Sequence, residues 1–207
     1  MLRRTRVAVL VSGGGTNLQA IIDAAAAGRL RHAELALVVS SQPDAYALVR
    51  AANAGIKAET VSRRAHPDAA AFEARMLEIL EENGIEMIVL AGFMSILGEG
   101  FIRRYEGRII NVHPSLIPSF CGKGFYGLRV HEAALAYGVK VTGATVHFVN
   151  EIPDGGEIIL QKAVNIRPSD TAESLQARVM REAEWKILPR AVELVARRLA
   201  KEASEHK

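Results

Sequence analysis

The chain has 207 residues, of which 49% are hydrophobic and 24% charged, with a formal net charge of +3. This composition excludes a disordered chain, and the length suffices for one well-buried domain. The pI of 9.2 reflects a small excess of Lys and Arg, without the basic stripe and interleaved aromatic residues that indicate nucleic-acid binding. The single cysteine, Cys121, fits a reducing cytoplasm. The apolar run Val7–Val11 near the N-terminus is too short for a signal-peptide core or a membrane span. We expect a cytoplasmic protein with one domain over residues 1–207 and no nucleic-acid or membrane partner.

Apolar runs of strand length alternate with stretches of helical spacing through the first half of the chain. The predicted strands are Val7–Val11, Leu35–Val39, Lys57–Val61, Met87–Ala91 and Arg108–Val112, and the predicted helices are Asn17–Ala27, Ala45–Ala54 and Pro67–Asn83. Continuous apolar strands that alternate with helices are typical of a parallel sheet covered on both faces. The first half therefore predicts a Rossmann-like α/β fold with a mostly parallel sheet.

The second half changes character. Lys140–Val149 and Glu157–Val164 alternate between apolar and polar residues, and the turn-like segment Asn150–Gly156 joins them. This pattern predicts an antiparallel hairpin at the C-terminal edge of the sheet. Thr171–Lys201 predicts a closing helix, for which Ser169 or Asp170 is available as the cap. Pro114–Arg129, which includes the loop Phe120–Arg129, is the longest irregular segment, and long ordered loops of this kind often carry function.

A glycine-rich loop, Ser12-Gly13-Gly14-Gly15-Thr16-Asn17, follows the first predicted strand and opens a helix. Glycines permit close approach of a ligand, and the start of a helix favours an anion, so we expect the ligand to be a phosphate group. The dinucleotide fingerprint needs a third glycine where Leu18 stands, and a P-loop needs a closing Gly-Lys-Ser/Thr that is absent. NAD and ATP are therefore disfavoured, and a monophosphate is favoured. A plain strand-to-helix turn is the alternative interpretation.

Asn111 and His113 lie at the end of the fifth predicted strand, the edge at which open α/β sheets bind ligands. They are two residues apart and share one side of the strand, so an amide and an imidazole can act on one developing oxyanion. Asp154 lies in the hairpin turn, where a carboxylate beside the imidazole would orient it and raise its pKa. A lone histidine at a strand end and an Asp-Gly-Gly turn are also common without any catalytic role.

Two further histidines lie near this cluster in sequence. His147 is inside an alternating strand and is interpreted as structural or as a support for the site, and His131 as a surface or capping residue of a helix. A metal site made of His113, His131, His147 and Cys121 is disfavoured, because no two of these residues have the compact spacing of known sites.

Two motifs resemble those of the folate-dependent formyltransferases. Asn111–Pro118 is similar to the family signature Asn-x-His-Pro-Ser-Leu-Leu-Pro, and Val141–Gly156 resembles the signature that holds the catalytic aspartate. Ser12–Ala20 and Leu90–Met94 are similar to the same regions of the members that act on glycinamide ribonucleotide. The resemblance extends from about Val7 to Pro189, which is nearly the whole chain.

The resemblance implies transfer of a formyl group from 10-formyltetrahydrofolate to the amine of glycinamide ribonucleotide, a step of purine biosynthesis, by direct acyl transfer without a metal. It implies that Asn111, His113 and Asp154 are catalytic and that Gly15, Thr16, Asn17 and Glu184 bind the ribonucleotide. It further implies that the folate pocket is lined by Met94, Ser95, Ile96, Leu97, Asn150, Glu151, Ile152 and Pro153. We expect small-molecule substrates, and a monomer or a homodimer.

Departures from the family pattern and rival functions remain. The family often has a basic residue at Ser95 and near Ala69, which leaves open the preference for the acidic folate tail. Methionyl-tRNA formyltransferase and formyltetrahydrofolate deformylase share the signatures but carry a further domain, so chain length argues against both. A non-catalytic nucleotide-binding module, which uses only the glycine loop, is the alternative from another class.

Overall fold

The computed structural model describes residues 3–205, which fold as two compact units, one from the described part of 1–109 and 192–207 and the other from 110–191. The strands are β1 (Thr5–Val11), β2 (Ala33–Ser40), β3 (Ala58–Thr60), β4 (Met87–Leu90), β5 (Ile109–His113), β6 (Val141–Phe148) and β7 (Ile158–Asn165). The helices are α1 (Thr16–Ala26), α2 (Tyr46–Asn53), α3 (Ala69–Glu82), α4 (Glu99–Arg104), α5 (Leu128–Tyr137), α6 (Ala172–Val179) and α7 (Trp185–Glu205). The predicted α/β class is confirmed, and the single domain over residues 1–207 stays a prediction.

β1 is the central strand of the first unit. It pairs in parallel with β2, where Val9 lies opposite Val38, and with β4, where Val9 lies opposite Val89. All of Val7–Val11 is buried, as its continuous apolar run predicts. The order β3-β2-β1-β4 reverses between β1 and β4. The loops after these two strands therefore flank the switch point at which open α/β sheets bind ligands.

In the second unit, residues 110–113 of β5 pair antiparallel with β6, and β6 pairs antiparallel with β7. Asn111 lies opposite His147 in this register, and His113 lies opposite Thr145. The Phe148 N–H donates to the Glu157 carbonyl at 2.8 Å and closes the hairpin. The predicted C-terminal hairpin is thus confirmed, and its turn carries Asp154.

Three helical features differ from the predictions. Helix α4 was not predicted, because six residues are too few to show a periodic pattern. The closing helix was predicted as continuous, but a π-helical turn at Met180–Glu184 separates α6 from α7. Its cap is Thr171 rather than Ser169 or Asp170, because Thr171 and Ser174 form a reciprocal capping box.

Within residues 3–205, no helix combines the length and the apolar content that crossing a membrane requires.

Candidate active site

The glycine loop joins β1 to α1 in the first unit. Gly15 has a φ of 69°, which lies in the left-handed region that favours glycine. A Cβ at this position would lie 2.6 Å from the Cβ of Ala47 in α2. The Ala47 N–H also donates to the Gly13 carbonyl at 3.1 Å. Helix α2 therefore fixes the path of the loop, and the contact leaves room only for glycine at residue 15.

Arg50 lies one turn after Ala47 in α2 and holds the same loop. Its Nε donates to the Gly14 carbonyl at 2.8 Å, and its Nη1 donates to Gln19 Oε1 at 3.0 Å. A guanidinium group is thereby fixed beside the start of α1, where it adds positive charge to the loop.

The three residues predicted to bind phosphate form the start of α1. Gly15 is the N-cap, Thr16 is the first helical residue and Asn17 follows it, with no acidic side chain in the first turn. The first N–H groups of a helix have no partner within the helix and, with the helix dipole, favour an anion. This end of α1 has the chemistry of a phosphate site.

The predicted folate-binding segment follows β4. The Met94 N–H donates to Ser12 Oγ at 2.9 Å, so this segment contacts the glycine loop at the switch point. Ile96 is 88% exposed and Met94 61%, whereas Ser95 is partly buried and Leu97 is buried. The two exposed apolar side chains are suited to covering a ring system of a ligand.

The second unit brings together two of the predicted catalytic side chains. Nδ1 of His113 lies 3.5 Å from Oδ2 of Asp154, and Nε2 lies 2.9 Å from the carbonyl oxygen of Phe120. The Gly122 N–H donates to the same Asp154 oxygen at 2.8 Å. His113 is almost fully buried, but both of its ring nitrogens face acceptors rather than apolar side chains. The imidazole is therefore oriented for proton chemistry.

The protonation of this pair differs from the prediction. Burial lowers the pKa of His113, and this outweighs the Asp154 charge and the Phe120 carbonyl, which raise it. The prediction of a raised pKa was wrong because the sequence could not show how deeply the ring is buried. For Asp154, burial raises the pKa, but His147, His113 and the Gly122 N–H together bring it below its usual value. A neutral imidazole thus faces an ionised carboxylate near neutral pH.

The turn between β6 and β7 positions Asp154. Asp154 has a φ of 56°, a left-handed conformation that aspartate tolerates better than most residues. A Cβ on Gly156 would overlap the Phe148 carbonyl, so the chain can pass this point only as glycine. The Ile152 N–H donates to Asn150 Oδ1 at 3.0 Å. The residues predicted to contact folate here are exposed: Asn150, Glu151, Ile152 and Pro153.

Asn111, the third predicted catalytic residue, contacts His147 rather than His113. Its Nδ2 lies 3.2 Å from Nε2 of His147, which is itself 3.5 Å from Oδ1 of Asp154. His147 is 2% exposed, which agrees with its interpretation as a structural or supporting residue. The imidazole of His147 therefore lies between the amide of Asn111 and the carboxylate of Asp154.

Glu184 lies in the π-helical turn and is buried. Such turns are rare and occur often at functional sites, because the widened turn redirects one or two side chains. The indole Nε1 of the next residue, Trp185, is also buried and has no hydrogen-bond partner among the described residues. The sequence pointed to Glu184 only through the family resemblance.

His131 was interpreted wrongly. It is fully buried in α5, and neither ring nitrogen has a hydrogen-bond partner within residues 3–205. Burial lowers its pKa to about 4, and the charge of His113 acts in the same direction. Val130, His131 and Ala134 form the buried face of α5. This helical spacing in the sequence was the signal that could have placed His131 in the core.

A metal site at these residues has no support in the geometry. Over the described part of the chain, no three or more His, Cys, Asp or Glu side chains are grouped so that they could hold a metal ion. The Cys121 thiol donates to the Pro118 carbonyl at 3.3 Å, and burial, with the Asp154 charge, raises its pKa. The thiol therefore stays protonated near neutral pH.

Two curated relatives cover nearly the whole chain, and their names point to formyl transfer and to purine biosynthesis. The chain is 42% identical over 184 residues to the phosphoribosylglycinamide formyltransferase of Haemophilus influenzae, with 89% of this chain and 84% of that protein covered. It is 44% identical over 195 residues to the trifunctional purine biosynthetic protein adenosine-3 of Bos taurus. That match covers 94% of this chain, which spans only 18% of the length of the bovine protein.

A solved structure with a related name is also similar to the chain in fold and sequence. Glycinamide ribonucleotide transformylase 1 from Symbiobacterium toebii has a TM-score of 0.87 and 42% identity, with 94% of this chain and 88% of that chain covered. The sequence profile of the family described as Formyl transferase matches residues 5–192. The chain therefore belongs to the formyl transferase family.

Proposed function

We propose that the chain transfers the formyl group of 10-formyltetrahydrofolate to the amine of glycinamide ribonucleotide. The relative from Haemophilus influenzae supports formyl transfer to this ribonucleotide by its name and by its similarity over most of both chains. The folate donor is what the resemblance to the folate-dependent formyltransferases implies. The observation that carries the proposal is the pairing of His113 with Asp154, whose Nδ1 and Oδ2 atoms are 3.5 Å apart. Each of the two residues belongs to one of the two motifs that resemble the family signatures. Two residues so far apart in sequence meet only because β5, β6 and β7 are adjacent.

The N–H groups of Gly15, Thr16 and Asn17 bind the phosphate of the ribonucleotide in this proposal, because the start of α1 favours an anion. Glu184 binds the half of the substrate that carries the amine. An acidic side chain suits this role, since an amine and its neighbouring amide N–H groups are hydrogen-bond donors.

The folate co-substrate contacts two segments in this proposal, and no metal takes part. The first segment is Met94–Leu97, which offers the exposed apolar side chains of Met94 and Ile96. The second is Asn150–Pro153, in the turn that also holds Asp154. An apolar surface with backbone polar groups at its margin is the usual environment of a ligand with a flat ring.

In the proposed reaction the neutral amine attacks the formyl carbon, and the formyl oxygen becomes an oxyanion. N–H groups of Asn111 and His113 donate to this oxygen. The Nε2–H of His113 donates to the Phe120 carbonyl in the structure, so it must exchange that acceptor for the oxyanion. The Asp154 carboxylate, ionised because its pKa is low, accepts the proton that the attacking nitrogen loses. The proton then passes, directly or through water, to the departing folate nitrogen.

Kinetics of Asn111→Ala, His113→Ala and Asp154→Ala test this proposal, with the exposed Asp44→Ala as the matched control. We expect each of the three variants to lose about a hundred- to a thousandfold in kcat, and the control to match the unaltered chain. The assay follows formylated glycinamide ribonucleotide, formyl-methionyl-tRNA and free formate in parallel. Near-normal rates in all three variants, or a product other than the formylated ribonucleotide, would exclude the proposed function.

A further inference from the structure

His147 holds a buried position for which the proposed reaction gives no role. It lies in β6 directly opposite Asn111 of β5, and its side chain is 2% exposed. Nδ1 lies 2.7 Å from the carbonyl oxygen of Phe148, and Nε2 lies 3.2 Å from Nδ2 of Asn111. Each ring nitrogen therefore has one close partner, and only one of these partners belongs to a catalytic residue.

The Phe148 carbonyl decides which nitrogen of His147 carries hydrogen. A carbonyl oxygen only accepts, so Nδ1 is the protonated nitrogen of the uncharged ring, and Nε2 is left as an acceptor. The atom of Asn111 that faces Nε2 must then be its amino nitrogen, because the amide oxygen would place two acceptors in contact. The tautomer of His147 thus sets which way the Asn111 amide points.

We propose that His147 is a positioning residue for the transfer reaction and fixes the Asn111 amide with its second N–H available to the formyl oxygen. This inference rests on the proposed function. An Asn111 amide rotated by half a turn would direct its oxygen to the site, and that oxygen would repel the developing oxyanion. By holding one orientation, His147 removes the unproductive one before the substrate binds.

The carboxylate of Asp154 is the competing partner of the same nitrogen. Its Oδ1 lies 3.5 Å from Nε2 of His147, beyond the 3.2 Å that separates Nε2 from Asn111 and beyond the usual hydrogen-bond range. The contact with Asn111 is therefore the shorter of the two, and Asp154 keeps its hydrogen bond from the Gly122 N–H.

Two isosteric substitutions separate the two nitrogens. In His147→Gln the side-chain oxygen reaches the region of Nε2 and can accept from Asn111, but the donor to the Phe148 carbonyl is lost. In His147→Asn the shorter amide reaches the region of Nδ1 and can donate to Phe148, but Asn111 loses its acceptor. Both variants keep a polar group in the buried site, so their comparison holds even if His147→Ala does not fold.

We expect His147→Asn to lower kcat about tenfold to a hundredfold, less than loss of the Asn111 donor itself. We expect His147→Gln to stay within about threefold of the unaltered chain, and KM for both substrates to change little in either variant, because the N–H acts on the transition state. In an Asn111→Ala background, His147→Asn should have no further effect on kcat, since no amide remains to be oriented.

Other results would overturn the inference. If His147→Asn retains activity while His147→Gln loses it, the residue serves only to satisfy the Phe148 carbonyl. If KM rises and kcat does not change, His147 supports substrate binding rather than the orientation of Asn111. An unaltered chain that forms no formylated ribonucleotide would end the proposed function. Full activity in both His147 variants would end this inference alone.

Discussion

Replacing Gly15 with alanine tests whether α2 fixes the glycine loop, and Gly28→Ala is the matched control. The two glycines flank α1 with nearly the same backbone, at a φ of 69° for Gly15 and 70° for Gly28. A Cβ at Gly28 meets no atom within 4 Å, whereas at Gly15 it lies 2.6 Å from the Cβ and 2.9 Å from the Cα of Ala47. The left-handed backbone costs an alanine about 1–2 kcal/mol at either site. Overpacking adds about 1–3 kcal/mol at Gly15 alone.

We expect Gly28→Ala to lower the free energy of unfolding by about 1–2 kcal/mol and Gly15→Ala by about 2–5 kcal/mol. Urea denaturation with unchanged m-values measures both losses. Gly15→Ala should also raise KM for the ribonucleotide, because the loop must shift away from Ala47, whereas Gly28→Ala should not. Equal losses of stability together with equal KM values would refute the argument that Ala47 fixes the loop.

Three further predictions concern the buried histidine and two arginines. The pKa of His131 is about 4 in the folded protein and 6.5 in the unfolded chain. The free energy of unfolding therefore falls as the pH drops from 6.5 toward 4, and His131→Phe should abolish roughly 3 kcal/mol of this loss. Urea denaturation at pH 7 and pH 4 measures it. Arg178 and Asp170 form an ion pair with side chains 5% and 6% exposed, so Arg178→Met should cost about 3–5 kcal/mol in unfolding free energy. Arg50→Met removes the hydrogen bond to the Gly14 carbonyl and a positive charge, and should raise KM for the ribonucleotide about tenfold at unchanged kcat, measured by steady-state kinetics.

Each of these predictions has a control. An acid-side loss of stability that persists in His131→Phe would mean that other groups cause it. The double variant Arg178→Met with Asp170→Leu should recover most of the stability that the single change loses, because no buried charge is left alone. If Arg50→Met leaves KM for the ribonucleotide unchanged, or changes KM for the folate equally, Arg50 does not contribute specifically to phosphate binding.

The sequence alone was sufficient for the parallel strands and the glycine loop of the first unit, although it did not reveal α4. Val7–Val11 and Met87–Leu90 are apolar at every position, which occurs in parallel strands buried on both faces. The glycine loop after β1 could be recognised because its residues must permit a left-handed conformation and a close contact. The left-handed conformation is a local property that the run of glycines reveals, whereas the contact with Ala47 joins two distant segments and no local pattern predicts it.

Contacts between distant residues could not be derived in this way. Asn111 and His113 lie on the same strand, as the sequence predicts, but the meeting of His113 with Asp154 depends on the register between β5 and β6. The direction of the His113 pKa shift depends on burial, which no local pattern specifies. His131 was expected to be a surface or capping residue, but α5 begins at Leu128, and residue 131 lies on its buried face. The π-helical turn at Met180–Glu184 could not be predicted, because five residues are too few to show a periodic pattern of their own.

The left-handed backbone of Asp154 limits how this position can change in evolution. Glutamate is the usual conservative substitution for aspartate, because it keeps the charge. Here glutamate would keep the carboxylate but adopt the left-handed region less readily, and its longer side chain would overshoot His113. Asparagine accepts the backbone but cannot take up a proton. Residue 154 must therefore adopt the left-handed conformation and also take up a proton. Of these three residues, only aspartate does both.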